Sequence, residues 1–262
     1  MNNKIYTSAI ILGLALGGNT AFAKPCDGLP SRATLESALK AAQIQPNGGF
    51  GLHMWATIVN RAGIVCAVAH SGANSGEQWP GSRVISAQKA NTANAFSLPG
   101  LALSTANLYS ATQPGGSLYG LQESNPVNTS VAYAGLFAKY GTDDDALIGK
   151  KIGGINVFGG GLALYDANNK IVGGLGVSGD SSCADHNIAW RTRFALGLDH
   201  VPSGVATAGD DNIVYDITNG DTSTVNEVPA LGKSANGWGH PSCTPAAKSI
   251  AESFKKAGSG TL

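Results

Sequence analysis

The sequence predicts an α+β domain, an antiparallel five-stranded sheet with helices packed against it. Three observations lead there. Short β-forming runs come in pairs separated by tight turns rather than by helices. Helical spacing is confined to separate blocks, chiefly residues 31–45, 82–96 and 181–198. No regular strand–helix alternation runs through the chain, so a parallel, doubly wound sheet is not expected.

The elements follow in order. Ser31 is placed to cap a helix reaching Gln45, with Leu35, Ala38, Leu39 and Ala42 on one face, and Pro46-Asn47-Gly48-Gly49 stops it. Residues 52–59 and 64–69 read as strands joined by the turn Asn60-Arg61-Ala62-Gly63. A glycine-rich loop carrying Trp79-Pro80 leads into a helix over 82–96, and a short helix is expected over 104–111. Residues 113–151 are long and irregular and carry Asp143-Asp144-Asp145; a loop of that length signals an insertion or a function. Residues 155–158, 162–165 and 171–177 read as three strands, the last two turning at Asn168-Asn169, because asparagine tolerates positive φ. Ser181 or Ser182 caps a helix to Leu198. Beyond it, 213–217 reads as a strand and 245–257 as a last helix.

The chain has 262 residues, a formal net charge of zero and 13% charged residues, which offers no basic stripe for nucleic acid. Met1-Asn2-Asn3-Lys4, an apolar run over 5–16 too short to span a bilayer, and Ala21-Phe22-Ala23 together predict a signal peptide over residues 1–23. The mature chain is then expected in the periplasm or secreted, with no membrane span. Cys26, Cys66, Cys183 and Cys243 all follow the cleavage site. An even count in an oxidising compartment favours two disulfides, and four cysteines allow three pairings.

The densest stretch is Gly153–Trp190. Gly174-Leu175-Gly176-Val177-Ser178-Gly179 fits a dinucleotide fingerprint, but its strand sits in a hairpin, whereas that fingerprint needs a parallel βαβ unit. Ser178 does not read as a nucleophile elbow, because Asp180 stands where the last glycine belongs. Two readings survive. The glycines leave a flat strand for a helix or a planar ligand to lie against. The free N–H groups after Gly179 suit a carboxylate.

Cys183-Ala184-Asp185-His186 and His240-Pro241-Ser242-Cys243 form a second pattern. Four such ligands suit tetrahedral zinc, but in an exported chain a Cys183–Cys243 disulfide is the stronger expectation, leaving Cys26 for Cys66. That bond would bring His186 and His240 together as a pair able to hold a metal or haem iron. His53, in the first strand, and His70, at the start of the glycine-rich loop, are further imidazole candidates. The three consecutive aspartates read as a solvated acidic run or, less simply, as a hard-cation site.

Two segments resemble the GlcG/HbpS-like family of haem-binding and haem-degrading proteins. Gln88-Lys89-Ala90-Asn91-Thr92-Ala93 is similar to its K-A-x-T-A helix, and Gly153-Gly154-Ile155 through Gly173-Gly174-Leu175-Gly176-Val177-Ser178-Gly179 to its glycine-rich hairpin. The turn after Ala56-Thr57-Ile58-Val59 stands at the family's first hairpin. The resemblance places a family domain at residues 24–200, with an insertion at about 113–151 and a C-terminal extension over 201–262. It implies a profilin/PAS-like three-layer arrangement, a homo-oligomer, and haem as the ligand. Lys89, Thr92, Gly176, Ser178 and Gly179 carry over as cofactor-binding positions; His186, then His70, His240 and His53, are the candidates for the iron. Asn156 stands where the family usually has proline. The functional expectation is an exported haem-binding protein for storage, transfer or sensing. The alternatives are a haem-degrading or small organic-acid enzyme of the same fold, for which no acid/base pair stands at convincing spacing, and a non-catalytic oligomeric scaffold or sensor subunit.

Overall fold

The structure, a computed structural model, describes residues 25–217 and 232–262. The expected signal peptide lies outside the described residues. Helix α1 (Arg32–Gln43) starts where Ser31 Oγ accepts the Thr34 N–H. Strands β1 (Trp55–Asn60) and β2 (Val65–His70) form the first hairpin, and helix α2 (Ser82–Phe96) follows. A four-residue helix, α3 (Tyr109–Thr112), precedes the insertion, which itself contributes only one four-residue helix, α4 (Thr129–Ala132), and a single 3-10 turn. Strands β3 (Gly161–Tyr165) and β4 (Ile171–Ser178) form the second hairpin, turning at Asn169 with φ 58°. Helices α5 (Ser182–Ala195) and α6 (Pro245–Ser253) complete the set.

The sheet is antiparallel in the order β2-β1-β4-β3 and has four strands, not five. The expected strand at 155–158 does not join the sheet, and side chains take up part of the backbone there. Thr92 Oγ1 accepts the Asn156 N–H at 3.0 Å, Thr105 Oγ1 donates to Phe158 O at 2.6 Å, and Asn91 Nδ2 donates to Gly154 O at 2.9 Å. A segment bonded in this way has no free edge to add to a sheet. The strand expected at 213–217 is also absent: the Ile213 N–H goes to His186 and Val214 O to the His240 N–H. The helix expected over 104–111 is reduced to α3, because Asn107 Oδ1 accepts both the Ser104 N–H and its hydroxyl and holds a turn there.

The strands alternate between two cores. On one face Ala56, Ile58, Ala67, Ala69, Leu175 and Val177 pack under Leu35 and Leu39 of α1 and Ile188 and Ala189 of α5. On the other, Trp55, Val59, Val65 and Val68 meet Val84, Ala87 and Ala90 of α2. The result is a helix–sheet–helix sandwich in which every strand is covered on both sides. In β4, Gly174 and Gly176 face α2. A Cβ at Gly176 would stand 1.9 Å from Ser86 O, and one at Gly174 2.3 Å from Ala90 O, so α2 lies at backbone contact with the strand.

Two disulfides close the ends, Cys26–Cys66 and Cys183–Cys243. Among the described residues, three buried ion pairs tie distant parts together. Arg83 in α2 grips Asp145 of the insertion through two bonds of 2.5 and 2.9 Å. Lys89 in α2 meets Asp185 in α5 at 2.7 Å, and Arg193 in α5 meets Asp211 of the tail at 2.7 and 2.8 Å. Asp145 is therefore neither a solvated charge nor a hard-cation ligand; it also accepts the Gly141 and Leu147 N–H groups.

Candidate functional site

The glycine-rich strand and the start of α5 do not form an open pocket wall. Lys89, Thr92, Ser178, Asp185 and His186 are all buried. Of the two readings of the flat strand, helix α2 is the one realised: it fills the surface over Gly174 and Gly176. Gly179 closes on the other side, where a Cβ would stand 2.5 Å from His53 O. Ser178 Oγ bonds Ser82 Oγ at 3.3 Å, and Thr92 Oγ1 is used within α2 and on Asn156.

The anion-seeking N–H groups after Gly179 are satisfied from within the chain. Asp185 Oδ1 accepts the Gly179 and Asp180 N–H groups at 3.1 and 2.9 Å, and its Oδ2 takes the Lys89 ammonium. Lys89 also donates to Val177 O at 3.0 Å and stands 4.6 Å from the Phe158 ring centre. Burial pushes the Asp185 carboxyl up to about 6 and the Lys89 ammonium down, in each case against their mutual attraction. An acidic residue in the first turn of a helix is the sequence signal that could have revealed this arrangement.

His186 and His240 are brought together, as the disulfide implied, but inside the protein. His240 Nε2 accepts the Gly159 N–H at 3.4 Å, and a Cβ on Gly159 would stand 3.0 Å from His186 Cβ. His240 Nδ1 donates to Pro241 O at 2.7 Å. His186 Nε2 lies 3.1 Å from the Ile213 N and 3.2 Å from Asn212 Oδ1, while its Nδ1 is buried with no hydrogen-bond partner in the protein. Burial lowers both rings, His186 to about 3 and His240 to about 4; for His186 the nearby Arg193 and His240 charges act in the same direction. Both cysteine sulfurs beside them are spent on the disulfide, so the four-ligand zinc arrangement is not available in this state.

The two remaining candidates lie at the opposite end of the first hairpin. His53 is half-exposed, with Nδ1 3.2 Å from Ser71 Oγ and Nε2 3.9 Å from Glu77. His70, at the end of β2, lines a cleft of about 590 Å³ together with Arg32, Asn74, Phe137, Tyr140 and Asp143. This volume lies within the usual range for small-molecule sites. His70 Nδ1 is 3.0 Å from Gly72 O. A carbonyl only accepts, so Nδ1 carries the proton there and the neutral ring presents Nε2 as a free donor atom. The ring is held edge-on to Trp55 at 5.2 Å. Gly141, with φ +76°, faces it: a Cβ there would stand 2.4 Å from His70 Cδ2 and 3.2 Å from Nε2, filling the space over the ring.

The far wall of the cleft belongs to the insertion. Phe137 and Tyr140 stack edge-on at 5.8 Å, and Arg83 lies 3.6 Å over the Tyr140 ring while holding Asp145. Arg32 Nε reaches Asp143 at 3.1 Å, bridging α1 to the insertion across the rim. Sequence reasoning did not identify Phe137, Tyr140, Gly141 or Arg32, because their convergence depends on where a long irregular segment folds back.

Residues 31–192 match the family described as "Haem degrading protein HbpS-like". No curated protein matches the chain. Among solved structures, the chain is similar to a PduOC–haem complex, with 23% identity, 62% of this chain and 89% of that chain covered, and a TM-score of 0.43. It is similar to protein ORFY of Klebsiella pneumoniae, with 23% identity, coverage of 64% and 90%, and a TM-score of 0.43. It is also similar to HbpS, with 17% identity, coverage of 70% and 98%, and a TM-score of 0.40.

Proposed function

The chain belongs to the HbpS-like family, and from that premise we propose that it is an exported haem-binding protein whose porphyrin seats in the cleft at His70. The observation that carries the reading is the state of His70: a cleft-lining imidazole with Nδ1 tied to a backbone carbonyl and Nε2 left to a ligand. The residues fit the group. His70 would hold the iron, Phe137 and Tyr140 would line the ring, Arg32 stands at the rim for a carboxylate, and Gly141 leaves the space that a side chain would fill. Haem, when bound, would supply a redox-active iron; His70, held by Gly72 O, would offer it an imidazole nitrogen, and Phe137 and Tyr140 a partly apolar wall. His186, first among the sequence candidates, gives way to His70 because it is sealed.

Two disulfides and the leader-like residues 1–23 support export to an oxidising compartment. Exposed apolar side chains on the insertion, Tyr119, Tyr133 and Leu136, support self-association, which light scattering would test. The family's description favours haem breakdown as the second reading, separable by adding a reductant and following loss of haem absorbance with appearance of a bilin-type product. For binding itself, hemin titration of the purified mature chain should give a Soret band that saturates at one equivalent. The band should be lost or strongly weakened in His70→Ala and retained in His186→Ala. No spectral change in the intact chain, or an unchanged band in His70→Ala, overturns this site.

A further inference from the structure

The two disulfides have different surroundings. Cys26 and Cys66 are both half-buried, and Cys66 Sγ meets the Ile64 carbonyl oxygen at 3.5 Å, a partner that opposes a thiolate. Cys183 is buried among Ala106, Ile213, Ala247 and Ala251, whereas Cys243 is exposed. In this second pair each sulfur accepts the backbone N–H of the other cysteine. The Cys183 N–H points to Cys243 Sγ at 3.3 Å, and the Cys243 N–H to Cys183 Sγ at 3.2 Å. The Cys183 N–H belongs to the first turn of α5, where backbone donors have no partner within the helix. The Ser182 hydroxyl stands 3.5 Å from Cys243 Sγ as a second donor. The buried sulfur has a different neighbour, Pro241 O at 3.5 Å, which can accept an S–H. The exposed sulfur is thus suited to a thiolate and the buried one to a thiol. The tail does not hang on this bond alone. Thr244 Oγ1 donates to Gly48 O at 2.8 Å, Asn187 Nδ2 donates to Ala247 O at 3.0 Å, and Arg193 holds Asp211. The sulfurs can part while the segments that carry them stay docked.

We propose that Cys183–Cys243 is a thiol-exchange couple that takes two electrons from an external dithiol, with Cys243 as the reacting sulfur and Cys183 as its buried partner. This activity is independent of the His70 cleft. The dithiol's first thiolate attacks the exposed Cys243 Sγ, which forms a mixed disulfide and breaks the Sγ–Sγ bond. Cys183 leaves, takes up a proton and turns its S–H to Pro241 O. The dithiol's second thiolate then attacks the dithiol sulfur bound to Cys243. That step closes the dithiol's own disulfide and expels Cys243 as a thiolate, received by the Cys183 N–H and the Ser182 hydroxyl. The two electrons end on the protein sulfurs. Of the dithiol's two protons, one rests on Cys183 and the other passes to solvent. Donors that hold the leaving thiolate stabilise the reduced form and make this bond the more oxidising of the two. Cys26–Cys66 stays closed under the same conditions.

The test uses the mature chain with both disulfides formed. It is equilibrated without denaturant at graded ratios of reduced to oxidised dithiothreitol and quenched in acid. Free thiols are then alkylated and assigned by peptide mass spectrometry. Cys183 and Cys243 should be half-reduced at a ratio at least about tenfold lower than Cys26 and Cys66, which is about 30 mV for a two-electron couple. Far-UV circular dichroism should be retained when only this pair is open. A second measurement uses Cys183→Ser, in which Cys243 is left as a thiol. At pH 6 it should react with iodoacetamide at least about fivefold faster than free cysteine, as a sulfur held in its thiolate form does. Three results overturn the proposal: both disulfides opening together, or Cys26–Cys66 opening first; a Cys243 thiol no more reactive than free cysteine; or loss of the fold when Cys183–Cys243 alone is reduced.

Discussion

The two histidine environments could hardly differ more. His70 stands at a strand end on a wide cleft, with a glycine opposite and an aromatic wall supplied by the insertion. His186 sits at the centre of α5 under the tail, with no exposure and a ring driven far toward its neutral form. Both are imidazoles near the sequence's glycine-rich signals. What separates them is which chain segment folds over them: residues 137–143 leave one open, and residues 240–243 close the other. Access is decided by parts of the chain that carry no motif.

The largest effect that should sharpen this contrast lies on the closed side. Asp185→Ala leaves Lys89 buried without its counter-charge and strands the Gly179 and Asp180 N–H groups. A loss of about 3–5 kcal/mol is expected in urea unfolding, because a buried ion has lost the carboxylate that pairs with it. A loss under about 1 kcal/mol would mean that water reaches Lys89 and that this side is not sealed.

Next comes acid. The folded pKa values of His186 and His240, about 3 and about 4, lie below the unfolded value of about 6.5, so both take up protons on unfolding and stability falls as pH drops through that interval. Asp185, raised to about 6, has the opposite sign: its contribution grows as pH falls from 6 to about 4. Asp210, also raised by burial, adds to that opposing side. Two protons against one leave a net slope of at most about 1.4 kcal/mol per pH unit between pH 6 and 4. Denaturant midpoints measured across that range should decline toward acid, and the decline should disappear in His186→Gln with His240→Gln. A midpoint that rises toward acid in the parent chain would refute the sealed assignment.

On the open side the effects are on ligand rather than on fold. Gly141→Ala places a methyl over the His70 ring and requires φ +76° of an alanine. Hemin affinity should fall at least about tenfold, which is about 1.4 kcal/mol, and the strain should also lower the thermal midpoint by a few degrees, since a non-glycine residue there costs of order 1 kcal/mol. Unaltered hemin binding in Gly141→Ala would move the site elsewhere. The smallest effect belongs to the rim. Asp143→Ala removes an exposed partner of Arg32 that still has Glu36, and stability should change by less than about 0.5 kcal/mol.

Local patterns were legible where local physics decides. Ser31 and Ser181 do cap α1 and α5, Asn169 does turn the second hairpin at positive φ, and the cysteines do pair as Cys26–Cys66 and Cys183–Cys243. The glycines of β4 were correctly read as marking a close approach, and helix α2 is what approaches. The misses are long-range. Nothing near Arg83 announces Asp145, 62 residues away, and nothing near Ile155 announces that Thr92, Asn91 and Thr105 will occupy its backbone. Likewise, C-x-x-H spacing reports that two side chains share a helix face, not whether a tail will cover that face.

The Cys183–Cys243 bond has a consequence for covalent continuity. The sulfurs are 60 residues apart in sequence, so the bond makes a closed ring of the chain from the first turn of α5 to the residue before the α6 cap. One backbone cut inside that ring leaves two pieces still joined. Such a nicked chain would run as a single band on a non-reducing gel, keep α6 against α5, and separate only when the sulfurs are parted.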